Sequence, residues 1–77
     1  MLKSSFQRQL IHHRQAYPLT QEQLGRLIGV EKQCISNYEQ GARLPDLATL
    51  TQLGEVFNQD LFISGQDFLF VEKAHDF

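Results

Sequence analysis

One cysteine, no tryptophan and two prolines stand in 77 residues. A single thiol cannot close an internal disulfide, so cross-links play no part in holding this chain together. Apolar runs never exceed a few residues, far short of the span a bilayer requires. Met1 to Ser5 is not followed by the apolar stretch of a secretory signal. Together these absences point to a cytoplasmic protein. Aspartates and glutamates are scattered, and there is neither a Ser/His/Asp grouping nor a glycine-rich phosphate loop, so no enzyme and no cofactor is expected. His12 and His13 are adjacent, which on a helix separates them by about 100° and makes them a poor metal pair. They are expected to be surface histidines, with no metal site.

What is present is enough for one small domain. A hydrophobic fraction of 42% argues against wholesale disorder. The net charge of −2 conceals a polarity along the chain. Lys3, Arg8, Arg14, Arg26, Lys32 and Arg43 outnumber Glu22, Glu31 and Glu39 in residues 1–45. Beyond them, Lys73 alone opposes Asp46, Glu55, Asp60, Asp67, Glu72 and Asp76. A basic front suits an anionic partner, and an acidic back does not.

Periodicity divides the chain into helices. Leu2, Phe6, Leu10 and Arg14 recur every four residues, with Ile11 widening the stripe, which predicts a helix over about residues 4–16. Pro18 stops it. Thr20 opens a second helix with Gln23 at capping-box spacing; Leu24, Leu27 and Ile28 are its apolar side, and Gly29 ends it. Only Gly29, Val30 and Glu31 separate this helix from the next, the short glycine-containing turn of a helix-turn-helix. Gly25, costly inside a helix, implies close approach of a neighbour. After Gly41, Pro45 and the N-cap Asp46 announce a fourth helix with Leu47, Leu50, Leu53 and Phe57 as its buried stripe and Asn58 as its stop. Gly54 suggests a second tight helix contact. Leu61 to Ile63 and Phe68 to Val71, divided by Ser64 to Asp67, read as strand, turn and strand.

The third helix poses the functional question. Cys34, Ile35 and Tyr38 lie on one side, with Cys34 expected as a small buried hydrophobe. The other side carries Gln33, Ser36, Asn37 and Gln40. Solvated helix faces favour Glu and Lys, which pair at i,i+4. This face is a row of uncharged donors and acceptors, and a side-chain amide can match adenine N6 and N7 with two bonds at once.

The run Leu19 to Gly25, Ile28 to Val30, Ile35 to Gly41 and Pro45 to Leu50 resembles the XRE family of phage-repressor-like helix-turn-helix proteins, over about residues 5–61. The resemblance implies an all-α, compact five-element helix-turn-helix domain (lambda-repressor-like) with a short C-terminal β segment, binding double-stranded DNA at a palindromic operator as a homodimer. By position it implies that Lys32, Gln33, Ser36 and Asn37 read bases. Gln21 meets a phosphate at its helix N-terminus, and Gln40 and Arg43 make further backbone contacts. It also implies a structural pair of Arg14 and Glu39, consistent with a charge on an apolar stripe needing a partner. Glu31 stands where the family usually has a capping Ser or Thr, and Gly25 and Gly54 where alanine is commoner.

Residues 1–60 are thus expected to form the DNA-binding domain, and 61–77 a strand-forming tail for dimerisation or partner contact through Phe62, Phe68 and Phe70. A satellite core against the fourth helix is the competing role for these phenylalanines and for Phe77. The expected function is a sequence-specific transcriptional regulator, a repressor. Its C-terminal strands resemble those of the autoregulating antitoxins of kinase-type toxin–antitoxin modules, which implies a cognate toxin. The alternatives are a stand-alone phage-type repressor or restriction-modification controller, and a helical adaptor that binds protein rather than DNA.

Overall fold

The computed structural model describes residues 5–64 and 67–73. Leu2, Phe77, and Gly65 and Gln66 of the expected turn lie outside the described residues. Four helices, α1 (Ser5–Ala16), α2 (Gln21–Ile28), α3 (Lys32–Gln40) and α4 (Leu47–Val56), precede an antiparallel hairpin of β1 (Gln59–Ser64) and β2 (Asp67–Glu72). The domain is mostly helical, with the expected β segment at its C-terminal end.

Local chemistry sets the helix ends. Thr20 accepts from the Gln23 N–H while the Gln23 side chain accepts from the Thr20 N–H, so both halves of the capping box are made. Asp46 accepts from the Thr49 N–H at 2.8 Å and caps α4. Those contacts with Thr49 hold the Asp46 carboxyl below the usual carboxylate range. Glu31 occupies the N-cap of α3 without any side-chain capping bond. Gly29 and Gly41 close α2 and α3 at φ 76° and 79°, the left-handed region where a Cβ is penalised. Asn58, at φ 54°, turns the chain from α4 into β1.

The core draws on all four helices and β2: Phe6 and Leu10 of α1, Leu24 and Ile28 of α2, Ile35 and Tyr38 of α3, Leu50 and Leu53 of α4, Phe57 just after α4 and Phe70 of β2, with Leu61 of β1 packed partly buried against it. Two expected core leucines are outside it, Leu27 at 58% exposure and Leu47 at 61%. Each lies at the margin of its helix's apolar stripe, where spacing alone overestimates the width that neighbours cover. Cys34 is half-buried at the core edge.

The two helical glycines have different neighbours. A Cβ on Gly25 would lie 2.6 Å from the Val30 carbonyl oxygen, so the turn entering α3 requires glycine there. A Cβ on Gly54 would meet the Gln59 carbonyl at 3.0 Å, so its close partner is the first residue of β1 and not a helix.

The hairpin packs against α1 and α4. In its register Leu61 faces Phe70 and Ile63 faces Phe68, which puts these four on one side of the sheet. That side turns inward except at Ile63, which stays 50% exposed: Phe70 is buried and Phe68 meets Phe6 edge-on at 6.1 Å between centroids. Gln9 fastens the hairpin, accepting from the Phe70 N–H at 2.7 Å while its Nε2 donates to Ser5. His13 departs from the surface role expected of it. It stacks on Phe57 at 5.3 Å and meets Phe70 edge-on at 5.8 Å. Burial, reinforced by the charge of His12, holds its pKa below 6.5. His12 is exposed, and no cluster able to hold a metal occurs among the described residues.

Candidate nucleic-acid interface

The position of α3 is fixed by a buried polar knot as well as by Ile35 and Tyr38. Arg14 of α1 donates from Nε and Nη2 to the two carboxylate oxygens of Glu39, at 2.5 and 3.2 Å. Its Nη1 donates to the Leu19 carbonyl at 2.8 Å. Gln21, first residue of α2, donates to Glu39 Oε1 at 3.1 Å. One carboxylate therefore joins α1, α2 and α3, and it is only 5% exposed. Removing one partner of such a pair costs about 3–5 kcal/mol, because a buried charge is left unmatched.

With Ile35, Tyr38 and Glu39 turned inward, α3 presents the opposite side to solvent. Lys32, Gln33 and Gln40 are exposed, and Ser36 and Asn37 are half-exposed on the same face. The amides and hydroxyl are linked in pairs one turn apart: Gln33 Nε2 donates to Asn37 Oδ1 at 3.1 Å, and Gln40 Nε2 to Ser36 Oγ at 2.9 Å. Lys32 makes no ion pair among the described residues. It is the first residue of α3 and follows the exposed N-cap Glu31.

A cleft of about 540 Å³ runs beside this face, lined by Glu31, Gln33, Cys34, Asn37, Tyr38, Arg43 and Thr49 among others. On its wall, burial pushes the Tyr38 phenol up from its ordinary value, and the Cys34 thiol reinforces the shift. Arg43 also lines the cleft and is exposed. The Gly41 turn sets its place, with the Ala42 and Arg43 N–H groups both donating to the Asn37 carbonyl.

The residues singled out on α3 thus share one solvent-facing surface, with Arg43 at its edge. Gln21 sits at the N-terminus of α2 but spends one amide N–H on Glu39. The phenylalanines of the hairpin divide. Phe70 is inside its own subunit's core, Phe68 is half-buried against Phe6, and Phe62 is 54% exposed. Spacing did not reveal Gln9 and His13, which hold the hairpin; their partners lie some sixty residues away in sequence.

Two short helices joined through a left-handed glycine, the second with a polar outer face, define a helix-turn-helix protein. A family model described as Helix-turn-helix matches residues 13–62, and the chain belongs to that family, the XRE-type DNA-binding transcription regulators. The family is regulatory and not typically enzymatic. No curated protein matches the chain. No helix among the described residues is long and apolar enough to cross a membrane.

Proposed function

We propose that the protein is a sequence-specific repressor that binds a palindromic operator as a homodimer, with α3 in the major groove. The observation that carries this reading is the outer face of α3, where Lys32, Gln33, Ser36 and Asn37 offer donors and acceptors without a carboxylate among them. Base edges in the major groove present the matching pattern. Gln21, Gln40 and Arg43 lie around this face and contact the phosphate backbone, Gln21 through its remaining amide N–H and the N-terminus of α2. Arg14 and Glu39 keep α1, α2 and α3 in register and touch no base.

The test is a comparison of duplexes. Asn37→Ala weakens binding to the selected operator by about 1–3 kcal/mol and leaves binding to unrelated duplex unchanged. Equal losses on both would remove α3 from base reading. A salt-insensitive or absent complex would favour a protein-binding adaptor instead.

A second, narrower reading makes the repressor an autoregulating antitoxin. The hairpin favours it: Phe62, at 54% exposure, and Val71, at 42%, occupy the side of the sheet that the helices leave uncovered. A kinase-like toxin gene next to this one, and a complex between the two products, would establish that role; a stand-alone repressor or restriction-modification controller has neither.

A further inference from the structure

The reading face of α3 consists of paired side chains, and the pairing has a direction. Gln33 Nε2 donates to Asn37 Oδ1, which leaves the Nδ2 end of the Asn37 amide turned the other way. We infer that Gln33 and Asn37 act as one two-base reading unit of fixed polarity, in which Gln33 locks the amide of Asn37 so that it presents donors to the DNA. The inference rests on the base-reading role proposed above for α3.

The terminal torsion of an asparagine is broad and roughly two-fold, so an unheld amide offers oxygen or nitrogen almost equally and discriminates poorly. The 3.1 Å bond to Gln33 biases that choice toward the orientation with Oδ1 on Gln33 before DNA arrives. Nδ2 carries two N–H groups and seeks acceptors, which guanine presents at N7 and O6 and thymine at O4. The exocyclic amino groups of adenine and cytosine are donors and clash with it. Gln33 has used one N–H and retains Oε1 and the other N–H, the combination that engages adenine N6 and N7. The unit therefore prefers adenine at the position facing Gln33 and guanine or thymine at the neighbouring position facing Asn37. Gln40 treats Ser36 in the same way: the Ser36 oxygen accepts from Gln40, so the hydroxyl hydrogen is directed elsewhere. That second pair is separate, with no bond joining it to the first.

The polarity makes the two residues unequal, and this separates the unit from two independent contacts. Asn37→Asp keeps an oxygen for Gln33 but replaces the donors by an acceptor, so it abolishes the guanine or thymine preference at one position and spares the adenine at the other. Gln33→Ala erases two, because it removes the adenine contact and frees the Asn37 amide to rotate. Both positions are read by selecting binding sites from a randomised duplex pool with the wild type and each variant. We expect preferences of about tenfold at the two positions for the wild type. In Gln33→Ala both fall below about twofold, and in Asn37→Asp only one does. Both side chains lie on the solvent face, so thermal melts of the variants match the wild type. A Gln33→Ala profile flattened at one position alone overturns the unit, and an Asn37→Asp profile flattened at both overturns its polarity. A wild-type profile without any preference overturns the base-reading role itself.

Discussion

At the scale of single residues, the features that specify this domain are short-range and stereochemical. Thr20, Gly29, Gly41 and Asp46 could each be assigned from their neighbours alone, and each occupies the cap or left-handed position its chemistry requires. Gly25 is constrained by the backbone itself, because what a Cβ would strike is a carbonyl oxygen at 2.6 Å and not a movable side chain. Alanine gains about 1 kcal/mol of helix propensity over glycine. Forcing the Val30 carbonyl aside costs about 1–3 kcal/mol, as overpacking does elsewhere. Gly25→Ala is therefore expected to lower stability in urea denaturation, and an unchanged or raised midpoint would show that the turn yields. Arg43 differs in kind, being exposed and off the amide row. Arg43→Ala is expected to weaken binding to operator and random DNA together, and to shallow the slope of log affinity against log salt by about one unit. A slope equal to the wild type's would place Arg43 away from the phosphates.

Between elements, sequence spacing is informative about which side of a helix is apolar but not about what covers it. Leu27 and Leu47 fall at acceptable helical positions and remain open because no neighbour among the described residues covers them. The helix-turn-helix was legible because α2 and α3 adjoin in sequence and their turn is short. The docking of the hairpin was not, since Gln9 and His13 in α1 find partners in Phe57 and Phe70 near the other end of the chain. His13 has a consequence for pH. Burial lowers its pKa in the folded state below 6.5, so the unfolded chain takes up the proton first on acidification. The stabilising contribution is complete above the unfolded value and is lost as pH falls through it toward the folded one. The melting temperature should thus decline between about pH 7.5 and about pH 5.5 more steeply in the wild type than in His13→Phe, which keeps an aromatic ring but cannot titrate. Parallel profiles would show that His13 remains neutral or equally solvated in both states.

Across the molecule as a whole, the described residues leave the Leu61–Ile63 part of a backbone edge and an apolar surface around Phe62 without cover. The Phe70 N–H points away from β1 toward Gln9, so α1 occupies the free edge of β2 at that point. In an antiparallel pair the outward groups alternate, which means that Leu61 and Ile63 direct their N–H and C=O groups away from β2. Among the described residues these groups have no partner beyond the hairpin. No lysine, proline or bulge guards the Leu61-Phe62-Ile63 stretch, as edge strands normally require. Such an edge is complementary to itself. Two copies related by a twofold place Leu61 opposite Ile63 of the second copy, twice, with Phe62 facing Phe62 at the centre and four backbone hydrogen bonds between the strands. The resulting dimer would carry two α3 helices, which must be spaced about 34 Å apart to enter successive major grooves. Deleting the hairpin is a poor test, because Phe70 belongs to its own subunit's core and would be lost with it. Ile63→Pro is better: its missing N–H faces outward, where proline is tolerated within a single hairpin but blocks pairing with a second. We expect this variant to keep the wild-type circular dichroism spectrum, to sediment as a monomer at micromolar concentration, and to lose affinity for a palindromic operator while binding a single half-site as well as before. A variant that sediments as a dimer as tight as the wild type would show that the hairpin only covers its own subunit.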